Sequence, residues 1–142
     1  KMSVPPRKWW WPLLMMIAIT LASGQSQPFV PGPTFALKDK LLHFAVFGAL
    51  ATAWVRCRPV SLRWTGVALA LTVGFGLADE FRQRLTPGRL FEWNDFLADT
   101  LGAAVAVTFW TRWTRWRTVL EGKFLPGKRP LAARVAAPAD LP

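Results

Sequence analysis

Tyrosine is missing from the sequence altogether, and histidine and cysteine occur once each, as His43 and Cys57. A lone cysteine, here between Arg56 and Arg58, allows no intrachain disulfide and no cysteine-based metal site. Acids are scarce: 8 Asp and Glu stand against 18 Lys and Arg, giving a net charge of +10. No internal repeat is evident. No apolar run reaches, uninterrupted, the roughly 20 residues that a full bilayer span needs.

What is present is apolar and tryptophan-rich. The chain has 142 residues, enough for one domain, and 52% of them are hydrophobic, including nine Trp. A soluble domain this apolar and this basic is uncommon, whereas a membrane protein with basic flanks has such a composition. Four apolar runs stand out, over 9–22, 41–55, 64–78 and 96–110. Their ends carry Trp9, Trp10, Trp11, Trp54, Trp64 and Trp110, as an interfacial belt does. Lys40 and Arg63 can snorkel and lengthen the spans. The expected fold is therefore all-α, an integral membrane bundle of about four transmembrane helices. Basic residues gathered at run ends also argue against a nucleic-acid partner and for membrane lipids.

The charges set an orientation. Thirteen of the 18 Lys and Arg fall in the N-terminal flank, in the link "RCRPVSLR" and after the fourth run. The positive-inside rule places these in the cytoplasm, with both termini. Six of the eight acids fall on the opposite side: Asp39, Asp79, Glu80, Glu92, Asp95 and Asp99. The organisation expected is a first helix with a basic flank over 1–23 and an outer loop over 24–38. A three-helix region over 39–111 and a flexible basic tail over 112–142 follow. Arg7, Lys8, the first apolar run and "LASGQS" also resemble a cleavable secretory signal; a retained first span is the expected reading.

Small residues recur every fourth position in three runs. They are Ala45, Ala49 and Ala53; Gly66, Ala70, Gly74 and Ala78; and Ala98, Gly102 and Ala106. In lipid, close approach of small residues supplies the packing, so these seams are expected to join runs two, three and four.

One constellation remains. Asp39 and His43 are one helical turn apart. Asp79, Glu80 and Gln83 close the third run, "TPGR" (86–89) predicts a tight turn, and Asp95 and Asp99 open the fourth run. Ionisable groups at the mouth of a span are expensive and mark functional sites. Three readings compete. Ion pairs could clamp helix ends, Asp39 or Asp95 with Arg89 and Glu80 with Lys40. Asp, Glu and His could bind a divalent cation, but their spacing matches no strong zinc signature, and no metal or cofactor is assigned. Lys40 and the arginines, Arg89 above all, could grip a phosphate or carboxylate, with His43 and Glu80 available for acid–base work. The only hydroxyls offered as nucleophiles on the structured part of this face are Thr86 and Thr100, so catalysis is left open. The candidate binding site comprises Asp39, Lys40, His43, Glu80, Gln83, Arg89, Asp95 and Asp99. In it, Asp39 orients His43 and Arg89 holds an anion.

Taken in order, "DKLLHFAVFGAL", "DEFRQRLTPGR" and "NDFLADTLGA" resemble the VanZ-like family of small bacterial membrane proteins. The matching residues are Asp39, Lys40, His43 and Phe44; Glu80, Gln83, Pro87, Gly88 and Arg89; and Asp95 and Gly102. Asp99 stands where the family pattern has Asn. The resemblance covers residues 39–102. It implies a multi-pass protein of the bacterial cytoplasmic membrane. It also implies a cell-envelope role, since the founding member is linked to low-level resistance to the glycopeptide teicoplanin. A site facing away from the cytoplasm would suit a lipid-linked phosphate. The rival expectation is an accessory subunit of a larger membrane complex, such as an energy-transducing or photosynthetic assembly, with the polar cluster as a helix clamp.

Overall fold

The computed structural model describes residues 9–24, 33–87 and 89–113, with the side chains of 33–36 excepted. The chain divides into two units, Lys1–Arg112 and Trp113–Pro142. The fold below is that of the first. The basic N-terminal flank and, beyond Trp113, the basic tail lie outside the described residues.

The described residues form four helices and no strand: α1 (Trp10–Ser23), α2 (Pro33–Val55), α3 (Leu62–Gln83) and α4 (Trp93–Arg112). Each start has a local cause. Pro12 falls in the first turn of α1, where its missing N–H has no intrahelical partner to lose. α2 opens on Pro33, whose fixed φ suits the first helical position. The last six residues of the segment read as loop, 33–38, are therefore helical. Ser61 caps α3, its Oγ accepting from the Trp64 N–H at 3.1 Å. After α3 the chain turns as "TPGR" predicts, the Arg89 N–H donating to the Thr86 carbonyl at 3.1 Å.

α2 is the central element and packs most extensively on α4. The two cross so closely that a Cβ on Gly102 would lie 2.1 Å from the Phe44 carbonyl oxygen, and one on Gly48 would lie 3.2 Å from that of Gly102. Phe47, Leu50, Ala51 and Trp54 of α2 fill the core with Ala68 and Thr72 of α3 and Ala103, Val107 and Trp110 of α4. Two of the three expected seams do not pack. Ala45 and Ala49 face outward, and so do Gly66, Ala70, Gly74 and Ala78. A Cβ on Gly66 or Gly74 would meet nothing within 4 Å. The buried stripe of α3 is instead Ala68, Thr72 and Gly76. Both faces of α3 carry small residues, and the polar residues at its end decide which face turns inward.

The helices alternate in direction, so two unlike ends result. At one end Trp9 packs edge-on against Trp54 and Trp64, with ring centroids 6.2 and 5.5 Å away. Arg58 lies over Trp9 and Trp64, and Arg56 over Trp110. Trp54 and Trp110 are buried here, packing as core rather than facing outward. The acids gather at the other end.

No helix among the described residues is long and apolar enough to cross a membrane. α1 has only 14 residues, and α2 carries Lys38, Asp39 and Lys40 within its length.

Candidate functional site

α3 does not stop where its apolar run stops. It continues through "DEFRQ", which places Asp79, Glu80 and Gln83 on its inward face against α1, α2 and the start of α4. α4 opens three residues before its apolar run and buries Asp95 and Asp99, one turn apart. α2 brings Asp39, Lys40 and His43 to the same end.

His43 is the centre of the first group. Its Nδ1 lies 2.9 Å from Asp99 Oδ1, and its Nε2 lies 3.7 Å from Asp95 Oδ2. The imidazole is thus oriented chiefly by Asp99 from α4, and not by Asp39 as the one-turn spacing suggested. Asp39 stays on the half-exposed rim, its Oδ2 3.5 Å from Lys40 Nζ. Proximity along a helix is a weak constraint on a side chain that can reach a neighbouring helix.

Lys40 gathers acids. Its Nζ contacts Asp95 Oδ1 directly and donates to Glu92 Oε2 at 2.8 Å. The expected pairing of Lys40 with Glu80 does not form. Glu80 lies deeper, where Oε2 accepts the backbone N–H of Glu92 at 3.0 Å. Its Oε1 is buried with no hydrogen-bond partner. Glu92 is a hub that the motifs did not single out, joining α2 by its side chain and α3 by its backbone. The signal available was its place three residues before Asp95, among the acids grouped at that end of the runs.

The second group runs along the end of α3. Arg89 donates to Gln83 Oε1, and Gln83 Nε2 donates to Asp79 Oδ2 at 2.9 Å. Arg82 donates to Asp79 Oδ1 through Nη2 at 2.8 Å, and the same Nη2 donates to Ser23 Oγ at 2.5 Å. Arg89 therefore pairs with an amide, not with Asp39 or Asp95. Ser23, unremarkable in the sequence, ties the end of α1 to α3. Gly76 makes room for the first group: a Cβ there would sit 3.2 Å from Asp99 Oδ2 and 3.0 Å from the Phe47 ring.

A cavity of about 410 Å³ opens between α1 and α2 and meets both groups. Met15, Ala18, Ile19 and Ala22 line one side, and Leu42, Val46 and Phe47 the other. Its polar end is formed by Ser23, Asp39, His43, Asp79 and Arg89. Of the eight residues expected to form a site, the structure joins all but Gln83 and Arg89 in one cluster about His43. It links those two to the cluster's edge through Asp79 and the cavity wall. The cavity thus has apolar walls along α1 and α2 and a few convergent polar groups at one end.

No curated protein and no solved structure matches the chain. A family model described as VanZ/LLP1 matches residues 8–115, which takes in α1 as well as the stretch that carries the motifs. The match covers most of the sequence, from before the first helix to the end of the fourth, and the chain belongs to the VanZ/LLP1 family.

Proposed function

We propose that the protein is a membrane-embedded four-helix bundle with both termini on the cytoplasmic side. Its outer mouth binds an amphiphile with an anionic headgroup, such as a lipid-linked phosphate of the cell envelope. The observation that carries this reading is the cavity, apolar along α1 and α2 and polar at His43, Asp79 and Arg89. The apolar walls suit the part of an acyl or isoprenyl chain next to its headgroup. The Arg89 guanidinium, which donates to the neutral amide of Gln83, is the donor for a phosphate.

The distribution of side chains supports the membrane setting. Leu13, Ile17 and Leu21 face outward on α1, as do Leu97, Leu101 and Val105 on α4, while Asp79, Glu80, Gln83, Asp95 and Asp99 are buried. That is the reverse of a water-soluble bundle, which rarely exposes contiguous apolar faces. Hydroxyls within the helices turn back on their own backbone: Thr72 Oγ1 donates to the Ala68 carbonyl and Thr108 Oγ1 to that of Ala104. Such bonds satisfy a hydroxyl where no water is available. α2, α3 and α4 have 23, 22 and 20 residues, roughly 30–35 Å of helix. With the charged ends set at the interface the apolar stretches are shorter than a full span of about 20 residues, and snorkelling of flanking Lys and Arg supplies the difference.

Native mass spectrometry of the protein extracted from its membrane in mild detergent tests the reading. A long-chain polyprenyl phosphate should remain bound, its phosphate-free alcohol should not, and Arg89→Gln should weaken retention of the phosphate. Equal retention of the alcohol would overturn the headgroup assignment. A stoichiometric protein partner occupying the chain instead would favour an accessory subunit, and release of the protein by alkaline carbonate would overturn the membrane setting.

A further inference from the structure

Glu80, Asp95 and Asp99 surround His43, and all three carboxylates are buried. A carboxylate removed from water requires a compensating charge. Lys40 supplies one to Asp95, and its ammonium also reaches Asp39 and Glu92. Arg82 is engaged by Asp79, and Arg89 bonds to Gln83. Among the described residues, no ion pair puts a lysine or arginine against Glu80 or Asp99. Each of these two is only 1% exposed.

The donor geometry points to what is needed. His43, Glu80 and Asp99 each offer one ligand atom, and these atoms lie within 4.8 Å of one another. Of Glu80's two oxygens, Oε2 accepts the Glu92 N–H, whereas buried Oε1 accepts nothing. An unmet lone pair in such a place is costly unless a cation or a proton donor meets it. We propose that His43, Glu80 and Asp99 form a binding site for a divalent transition cation, Zn²⁺ or Mn²⁺.

One imidazole nitrogen and two carboxylates suit those ions better than Mg²⁺ or Ca²⁺, which take oxygen alone, or Cu⁺, which takes sulfur. An ion about 2.1 Å from each donor sets the donors about 3.4 Å apart, within reach of small side-chain rotations from the observed spacing. The ion takes the place of the proton between His43 Nδ1 and Asp99 Oδ1. Nε2 then keeps its proton and faces Asp95 Oδ2 at 3.7 Å, the outer carboxylate that orients a ligating histidine. His43 also lines the cavity, which gives the ion an entry path. The neighbouring trio of Asp39, His43 and Asp95 is spaced as closely, but the Lys40 ammonium already lies among its acids. Sequence spacing carried no metal signature because the three ligands come from three helices. Asp99, present where the family pattern has Asn, supplies the second anionic donor.

The inference does not rest on the lipid reading, since metal uptake needs no amphiphile. The full chain, purified in detergent and stripped with chelator, is titrated separately with Zn²⁺ and Mn²⁺. Bound metal is then counted by elemental mass spectrometry after desalting. One ion per chain is expected, with a raised Tm. Glu80→Gln and Asp99→Asn should each weaken binding by at least about tenfold, the loss typical even of an outer-shell partner. Glu92→Gln, on the exposed rim, should leave it unchanged. Metal retention equal in wild type, Glu80→Gln and Asp99→Asn would overturn the site. If the variants do not fold, wild type decides alone: no ion retained and no change in Tm would overturn it.

Discussion

His43 Nδ1 and Asp99 Oδ1 meet at 2.9 Å across the α2–α4 interface, beside the close backbone approach of Phe44 and Gly102. The helix crossing and the polar contact depend on each other. Only a glycine at 102 lets α2 come near enough for an imidazole one residue before Phe44 to reach a carboxylate three residues before Gly102.

The pair should therefore show coupling. A partly buried hydrogen bond to a charged group contributes about 1.5–3 kcal/mol. In a double-mutant cycle of His43→Ala and Asp99→Ala, unfolding in detergent micelles should return a coupling of about 2 kcal/mol. A coupling near zero would mean that the two side chains do not hold each other in the folded protein.

Lys40 should matter far more than its neighbour Lys38. Its ammonium is the cation in contact with buried Asp95, and removing one partner of a buried pair leaves an uncompensated charge. Lys40→Met should cost about 3 kcal/mol, and Lys40→Met with Asp95→Asn should recover most of it. Lys38 is exposed, and Lys38→Met should change stability by less than about 0.5 kcal/mol. Chemical denaturation of the four proteins under one condition checks the ranking; equal effects at 38 and 40 would contradict the pairing.

Two glycines of similar appearance in the sequence should respond oppositely. A Cβ at Gly102 would meet the Phe44 backbone, which cannot move without separating α2 from α4. Gly102→Ala should lower stability by about 3 kcal/mol, at the upper end for overpacking. It should also loosen the His43–Asp99 contact. Gly74 faces open space, and Gly74→Ala should be neutral or raise stability by up to about 1 kcal/mol through better helix propensity. Thermal melts of both variants separate the two; a harmless Gly102→Ala would mean that the helices do not cross there.

These two glycines also mark what the sequence could reveal. The four helices follow from the apolar runs and their Trp and charged ends. The residues of the polar end follow from acids grouped at alternate run boundaries. The order of the motifs points to the family that the match over residues 8–115 shows. The packing faces were not legible, because α2 and α3 carry small residues on more than one side and periodicity cannot choose among them. Nor were the partners within the site. Asp39 lies one turn from His43 in sequence, but Asp99 reaches it in space. Glu92 and Ser23 carry no motif and act through position alone. A one-dimensional pattern gives the inventory of charges at an end, whereas the crossing angle of the helices decides which of them meet.

Cys57 offers a probe of the opposite end. It is fully buried, lies in the tight turn that follows α2, and its Sγ lies 3.3 Å from the Ala53 carbonyl. Arg56 and Arg58 beside it lie over Trp110, Trp9 and Trp64, closing that end of the bundle. A thiol in this position reacts only when the end opens, so its labelling rate measures a local opening equilibrium. Maleimide labelling of the folded protein should be slower than that of the unfolded chain by at least about 100-fold. Arg58→Gln, which removes two cation–π contacts of about 0.5–1 kcal/mol each, should speed it by roughly five- to thirtyfold. Gly102→Ala acts through global stability and should speed it as well, whereas Lys40→Met with Asp95→Asn, at the far end, should not. Fast labelling of wild type would show that the Trp9, Trp54 and Trp64 cluster does not close over the thiol. Equal rates in wild type and Arg58→Gln would show that the arginine does not contribute to the closure.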